Sequence, residues 1–414
     1  MHGRRIRLPF AVSVAVVAAG AATVALRPRG GLIPAAQAKP QAYFSARELD
    51  RIHDYVGTQR LLGLGSLALT GVVLVAFAVR PPALVRRAAE RMGDRPLTGS
   101  AMTGAGLFLV VAVATLPLSA IAQNRDREFG LSTQSWGGWA SDVVKSDALG
   151  AVFAAAGGAL LIILIRRFPR RWWIPGAGAI VAVAFLFEFL SPVVLDPIFN
   201  RFTPLPKGKL RSEVLELAHR SGVHVGQVYR VDASRRTTGA NAYVNGIGAT
   251  KRVVLYDNLI KDYKPAEVRS VVAHELGHVK HRDVLRGLLW LAIVAPAATL
   301  LIQRLVELRE PPPARDGRAG PAVVPVAVLA IAVVSFAVGV AGNVLSRKVE
   351  ASADSYALRL TRDPTAFIAL ERKLTTGNLI DPAPPQWLVD VFGTHPPAIE
   401  RIGYALEFER TAGR

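Results

Sequence analysis

Residues 271–278 of the chain read Val-Val-Ala-His-Glu-Leu-Gly-His. On a helix, His274 and His278 lie one turn apart on the same face, so both imidazoles can reach one ion. Glu275 projects beside them, where it can take a proton from a metal-activated water. The spacing therefore predicts a hydrolytic metal site with zinc as its ion. The alternative is a buried helix whose two histidines bind nothing.

The composition indicates an integral membrane protein rather than a soluble enzyme. Apolar residues make up 51% of the 414 residues, and the mean hydropathy is positive. We therefore expect a mainly α-helical membrane fold. Seven segments are long and apolar enough to predict transmembrane helices: 8–26, 61–79, 101–122, 149–165, 173–190, 284–301 and 321–345.

The first predicted span has a competing interpretation. Arg4, Arg5 and Arg7 precede its apolar core, and small residues follow at 34–38, which is typical of a cleavable signal peptide. The apolar core is long for a signal peptide, so a retained helix is the favoured interpretation.

The formal net charge of +19 does not indicate nucleic-acid binding. The arginines cluster where spans end, at 80–91 and 166–171, where such residues contact anionic lipid headgroups. The expected partner is therefore the lipid bilayer. The chain has no cysteine, which excludes thiolate zinc ligands and a cysteine nucleophile, so any metal must be held by histidine and carboxylate.

The order of polar and apolar segments predicts four regions. A five-span membrane region (1–195) is followed by a first polar region (196–282), a two-span hairpin (283–345) and a second polar region (346–414). Because two antiparallel spans return to the same side of a bilayer, both polar regions can build one zinc-peptidase domain. We expect this domain to contain helices and a small sheet.

The second polar region offers a third metal ligand. Glu350 and Asp354 are four residues apart and share one helical face. Glu350 would complete a set of three ligands for one zinc ion per chain, with a fourth position open to water. Asp354 would accept the outer N–H of a ligand histidine and fix its orientation. The alternative is a solvated helix face on which Arg347 and Asp354 are ordinary surface charges.

Several further segments join these residues into a combined pattern. They are Phe129-Gly130 with Asp142 and Lys145, residues 197–205, 234–237, 241–243 and 251–257, Ser346-Arg347 with Glu350 and Asp354, and His395-Pro396-Pro397 with Arg401. In combination they resemble the type I CAAX prenyl endopeptidases, integral membrane zinc peptidases that cut prenylated protein tails and are related to the HtpX-like peptidases. The resemblance runs from about residue 127 to the C-terminus.

The resemblance implies further roles and a polypeptide substrate. Asn241 and Ala242 would lie on an edge strand that pairs with the substrate backbone. His395 and Arg401 would donate hydrogen bonds to the oxyanion. From the residues alone, the alternatives are a turn residue for Asn241, a loop residue for His395 and a surface charge for Arg401. The chain has Gly239-Ala240 where the family often has His-Ser, which leaves the substrate detail open.

The orientation in the membrane is predicted in two opposite ways. The resemblance implies a plasma (inner) membrane protein whose catalytic domain lies in the cytoplasm, and this is the favoured interpretation. The loops on the opposite side are richer in arginine, however, and the positive-inside rule would place those loops in the cytoplasm.

Other functions remain open from the sequence. HtpX-like quality-control peptidases share the histidine motif but usually carry fewer spans. Site-2-type proteases take their third ligand from a Leu-Asp-Gly segment after the motif, whereas Leu195-Asp196-Pro197 precedes it here. A non-catalytic scaffold or transporter would use zinc structurally, with His281 as a fourth ligand. The oligomeric state is not predicted.

Overall fold

The computed structural model describes residues 8–412, apart from 84–86, 88–90, 246–251 and 310. Arg4, Arg5 and Arg7, part of the arginine segment 80–91, and Lys251 lie outside these described residues. Within them, seven helices are long and apolar enough to cross a bilayer, which confirms the predicted number. They are α1 (Leu8–Leu26), α2 (Ala46–Val79), α3 (Pro96–Glu128), α4 (Trp136–Arg167), α5 (Trp173–Leu190), α9 (Asp283–Arg309) and α10 (Val323–Thr361).

Several of these helices extend beyond the predicted spans, because hydropathy marks the bilayer crossing and not the helix ends. α2 begins at Ala46, where the Ser45 hydroxyl accepts from the backbone N–H of Glu48 and the Glu48 carboxylate accepts from that of Ser45. This reciprocal cap stabilises the polar first turns of the helix. α10 runs on to Thr361 and so carries Glu350 out of the membrane region.

The first helix packs against the two-span hairpin. Ala19 and Ala22 of α1 contact Val294 of α9, and the indole N–H of Trp290 donates to the Thr23 hydroxyl at 3.0 Å. Whether this first span is retained or cleaved stays a prediction.

Small residues let α3 and α4 cross closely. A Cβ atom at Gly104 would collide with the carbonyl oxygen of Ala154, and one at Gly158 would collide with that of Ser100. Close backbone approach between small residues is a main source of helix association in lipid, where burial of apolar surface gives little driving force.

The two polar regions form one domain, as their positions predict. Its helices are α6 (Lys209–Arg220), α7 (Asp257–Asp262), α8 (Pro265–His281), α11 (Pro364–Gly377), α12 (Gln386–Phe392) and α13 (Ala398–Ala412), with the end of α10. Leu276 of α8, Leu358 of α10 and Phe367 of α11 are fully buried in one core with Leu255. Residues from both polar regions therefore share a single hydrophobic core.

A four-stranded mixed sheet lies beside this core. Its strands are β1 (Phe202–Pro204), β2 (Gln227–Val231), β3 (Ala242–Asn245) and β4 (Arg252–Tyr256). Their order is β1-β2-β4-β3, with β2 and β4 parallel and the outer pairs antiparallel. β3 is thus an edge strand of the described sheet, and α8 packs against it.

An ion pair joins the membrane region to the polar domain. The Nε atom of Arg236, near β3, donates to Asp142 of α4 at 2.7 Å, and the same guanidinium donates to Asn200 at 3.2 Å. Lys145 lies 3.5 Å from the same carboxylate. Two segments that are distant in sequence are therefore held together at the base of the domain.

We expect Gly158→Val to destabilise the α3–α4 pair, because the new side chain meets the Ser100 carbonyl. Overpacking of this kind costs about 1–3 kcal/mol. The control is Gly157→Val, since a Cβ atom there meets no atom of the described residues within 4 Å. Thermal unfolding in detergent should show a lower midpoint for Gly158→Val than for Gly157→Val, and equal midpoints would contradict the close crossing.

Candidate metal centre

Helix α8 presents its two histidines toward one point. The Nε2 atoms of His274 and His278 are 3.1 Å apart. Arg282 follows α8 with a left-handed backbone (φ 56°), so the chain turns sharply and α9 begins at Asp283. The helix therefore ends just beyond the second histidine, and the membrane hairpin starts there.

Glycine at 277 lets α10 cross α8 beside the histidines. A Cβ atom at Gly277 would lie 3.2 Å from the Cα atom of Ala353 and 3.2 Å from the Tyr356 ring. The close crossing brings Glu350 Oε2 to 3.2 Å from His274 Nε2 and 3.6 Å from His278 Nε2.

The three ligand atoms have the spacing of a metal site. They lie within 4.8 Å of one another. Among the described residues, these three form the group that could hold a metal ion. Ligand atoms of a tetrahedral zinc are roughly 3.4 Å apart. Glu350 Oε2 is buried and accepts no hydrogen bond from the described residues, although it faces imidazole nitrogens. A cation between these atoms would satisfy that oxygen, so the residues present fit a zinc ion.

Each of the two histidines is held from behind by a carboxylate. His274 Nδ1 lies 2.8 Å from Asp354, and His278 Nδ1 lies 3.0 Å from Asp283. With Nδ1 donating to a carboxylate, Nε2 keeps its lone pair for a metal. Asp283, which the sequence analysis did not select, is the first residue of α9; its position just after the motif was the available signal.

Arginines hold both carboxylates in turn. Arg401 donates to Asp354 through Nε at 2.8 Å and through a terminal nitrogen at 2.6 Å. Its other terminal nitrogen lies 3.0 Å from Glu371, a buried carboxylate that the sequence analysis also missed. Arg286 pairs with Asp283. The guanidinium of Arg401 thus faces two carboxylates, and its predicted role at the oxyanion stays a prediction.

The local charges change the pKa values of the α8 side chains. Burial alone would lower the pKa of His274, but the carboxylates of Asp354 and Glu350 outweigh it and raise this pKa to about 10. Burial would likewise lower the pKa of His278. The carboxylates of Asp283 and Glu350 outweigh this effect and raise the pKa to about 9. A metal held by these rings would have to displace their protons, so its affinity would fall as the pH is lowered.

Glu275 lies on the same helix beside edge strand β3. Burial raises the pKa of its carboxyl group, while His274 and His278 oppose that rise. The backbone N–H of Val244 donates to the carboxylate and also lowers its pKa. The side chain is thereby held between the two histidines and β3.

A cavity of about 1120 Å³ opens next to these residues. His395 lies on its wall with Nε2 3.3 Å from Glu350, and 56% of its side chain is exposed. Arg401 and Asn241 also line it, and Ala242 is buried behind Asn241. The rest of the wall is largely apolar: Val56, Leu64 and Leu67 of α2, and Leu374, Leu388 and Phe392 of the polar domain.

His281 is not brought to the metal ligands. Its Nδ1 atom lies 3.2 Å from the Ser352 hydroxyl, and its ring packs against Tyr356. The group of described residues that could hold a metal contains His274, His278 and Glu350 without it.

Comparisons with known proteins agree with this architecture. The profile of peptidase family M48 matches residues 204–409, and that of the CAAX prenyl protease N-terminal region, five membrane helices, matches residues 38–201. The uncharacterized metalloprotease YhfN of Bacillus subtilis (strain 168) is 34% identical over 304 residues, which are 72% of this chain and 71% of that protein.

Two further similarities extend to eukaryotes. The CAAX prenyl protease 1 homolog of Oryza sativa subsp. japonica is 29% identical over 310 residues, 73% of this chain and 72% of that protein. The crystal structure of S. mikatae Ste24p matches with a TM-score of 0.72 at 18% identity, over 97% of this chain and 99% of that chain. The fold is therefore shared over nearly the whole length.

The two profiles meet where the fifth membrane helix leads into the polar domain, so together they account for both halves of the fold. The similarity to the Bacillus subtilis metalloprotease spans that junction as well. The chain therefore belongs to peptidase family M48, as a membrane-embedded zinc metalloendopeptidase of the CAAX prenyl protease type.

Proposed function

We propose that His274, His278 and Glu350 bind one zinc ion per chain. The observation that carries this proposal is the buried Glu350 oxygen, which faces both Nε2 atoms and, within the described part of the chain, accepts no hydrogen bond. Two imidazoles and one carboxylate form a ligand set that catalytic zinc uses, and the fourth position stays open to water.

Glu275 is the proposed general base. Zinc held by His274, His278 and Glu350 would supply the acidity that activates a water and the positive charge that polarises the scissile carbonyl. Glu275 takes the proton of the attacking water and later returns it to the leaving amine. Burial raises the pKa of Glu275 and so makes the carboxylate a better proton acceptor. The Val244 N–H keeps this carboxylate beside the strand along which a substrate would lie.

His395 and Arg401 are the proposed oxyanion donors. His395 faces the cavity and lies near Glu350, which is the position from which it can donate to a carbonyl held at the metal. One donor of this type contributes about 3–4 kcal/mol to transition-state binding. Arg401 directs three of its five N–H groups at Asp354 and Glu371, so it would donate to the oxyanion through a remaining N–H.

The proposed substrate is a membrane-associated polypeptide of the CAAX type. The rice relative carries the name CAAX prenyl protease 1 homolog. The cavity is bordered by apolar side chains of α2, which favours apolar peptide or lipid groups entering from the membrane. Asn241 and Ala242 would pair with the substrate backbone. The Ala242 N–H currently donates to the Asn241 side chain at 2.8 Å, so an incoming strand replaces that contact.

We further propose that the protein lies in the plasma (inner) membrane with the catalytic domain in the cytoplasm. The family resemblance supports this orientation. By the positive-inside rule, the arginine-rich loops opposite the catalytic domain favour the opposite orientation. The orientation therefore needs a direct experimental test.

We expect Glu275→Gln to retain zinc and to lower the hydrolysis of a farnesylated CAAX peptide by at least about 100-fold, the size of a general-base contribution. Metal analysis of the purified variant and chromatographic detection of the product provide the two measurements. Glu409→Gln, at an exposed position of α13, is the matched control and should keep full activity. Near wild-type hydrolysis by Glu275→Gln would refute the assigned base. An unmodified peptide tested in parallel separates peptidase activity from a preference for the lipid group.

We expect Asp283→Asn to weaken zinc binding about 10–100-fold, because it removes the carboxylate that orients His278. Competition against a chelator of known affinity measures this change. Asp50→Asn, at an exposed position of α2, makes the same chemical substitution away from the metal and should bind zinc like the wild type. Equal zinc affinity of the two variants would show that Asp283 does not support the metal.

We expect Ser212→Cys to react with a membrane-impermeant maleimide only after cells are permeabilised, if the catalytic domain is cytoplasmic. Ser212 is exposed on α6, and the chain has no cysteine of its own to react. Labelling in intact cells would place the catalytic domain on the outer side and contradict the proposed orientation.

A further inference from the structure

A second cavity lies at the opposite ends of the membrane helices from the metal centre. Its volume is about 350 Å³. It is formed where α3 begins, where α4 ends and by the loop that precedes α10. Its lining residues are Pro96, Leu97, Ile162, Ile163, Arg166 and Arg167, with Arg318.

The rim of this cavity is basic, and contacts within the protein already hold two of its arginines in place. Arg166 pairs with Asp316 and donates to the carbonyl oxygen of Ala319 at 3.2 Å. Arg318 donates to the carbonyl oxygen of Arg166 at 2.6 Å. Arg166 and Arg318 are therefore fixed by backbone contacts, and the Asp316 carboxylate accepts from the Arg166 guanidinium and from the backbone N–H of Arg318. In the part of the chain that the structure describes, neither Arg167 nor Arg318 has an ion-pair partner.

The wall below the rim is apolar and faces outward. Leu97 is 47% exposed and Ile163 is 50% exposed, and both lie at the ends of membrane-spanning helices. Ile162 is buried against Ile165 and Trp172, so the floor of the cavity is a packed part of the helix bundle. An acyl chain entering from the bilayer can lie on Leu97 and Ile163 while its phosphate remains at the arginine level.

The geometry points to a binding site for an anionic phospholipid, with its phosphate held by Arg167 and Arg318 and an acyl chain on Leu97 and Ile163. Basic pockets between membrane helices recognise such headgroups, and each basic residue contributes about 1 kcal/mol. A free phosphate would use the arginines and leave the apolar wall exposed, so the lipid fits both parts of the cavity. This site is separate from the catalytic face and does not depend on the proposed peptidase mechanism.

The test is native mass spectrometry of purified full-length protein with phosphatidylglycerol added in detergent. We expect Arg167→Gln with Arg318→Gln to lower phosphatidylglycerol retention roughly 30-fold, which is about fivefold for each arginine removed. Arg87→Gln with Arg91→Gln is the matched control, because it removes two exposed arginines from the same face outside the cavity. This control should retain the lipid like the wild type.

Four outcomes would overturn the assignment. Equal loss in both double variants would show diffuse attraction by the arginine-rich face. Equal retention of phosphatidylcholine by the wild type would show that the negative headgroup is not recognised. Complete displacement of phosphatidylglycerol by excess inorganic phosphate would show that the acyl chain contributes nothing to binding. Arg167→Lys with Arg318→Lys keeps both charges and should largely restore lipid binding. This variant separates lost recognition from lost folding. Failure of the rescue in a variant that unfolds at the wild-type midpoint would also contradict the site.

Discussion

The close crossing of α8 and α10 is the constraint on which the rest of the site depends. His274 and His278 lie on one helix and Glu350 on another, and the hairpin of α9 and α10 crosses the bilayer between them. The crossing point is Gly277, where a side chain would press on Ala353. The position of Glu350 is therefore set both by the domain core and by the packing of two membrane helices. Damage to either one should disturb the metal ligands.

The second constraint is electrostatic. A buried charge is stable only when it has partners, because transfer from water is costly. Here the charges alternate in a chain from His274 through Asp354 and Arg401 to Glu371. Burial raises the pKa of Glu371, while the charge of Arg401 opposes that rise. This series of contacts holds the imidazole of His274 in one orientation. Each of the four buried groups has a partner of opposite charge, which offsets the free energy lost on burial.

Parts of this arrangement could be predicted from local sequence patterns. Helical spacing alone placed His274 and His278 on one face, and hydropathy predicted the seven membrane helices that the structure has. The resemblance to a known family brought His395, Arg401, Asn241 and Ala242 into consideration.

Other parts depend on contacts between distant segments, which no local pattern encodes. The start of α2 at Ala46 follows from a polar cap, which hydropathy does not detect. Asp283 and Glu371 act through side chains that meet only after folding. The direction of the Arg401 guanidinium, toward Asp354 and Glu371, likewise requires the packing of α13 against α10 and α11.

An anomalous difference map recorded at the zinc absorption edge tests the central claim most directly. The account predicts one peak per chain, about 2.1 Å from the Nε2 atoms of His274 and His278 and from an oxygen of Glu350, with a fourth ligand that does not come from the protein. A peak ligated by His281, or one from which the Glu350 carboxylate is turned away, would contradict it.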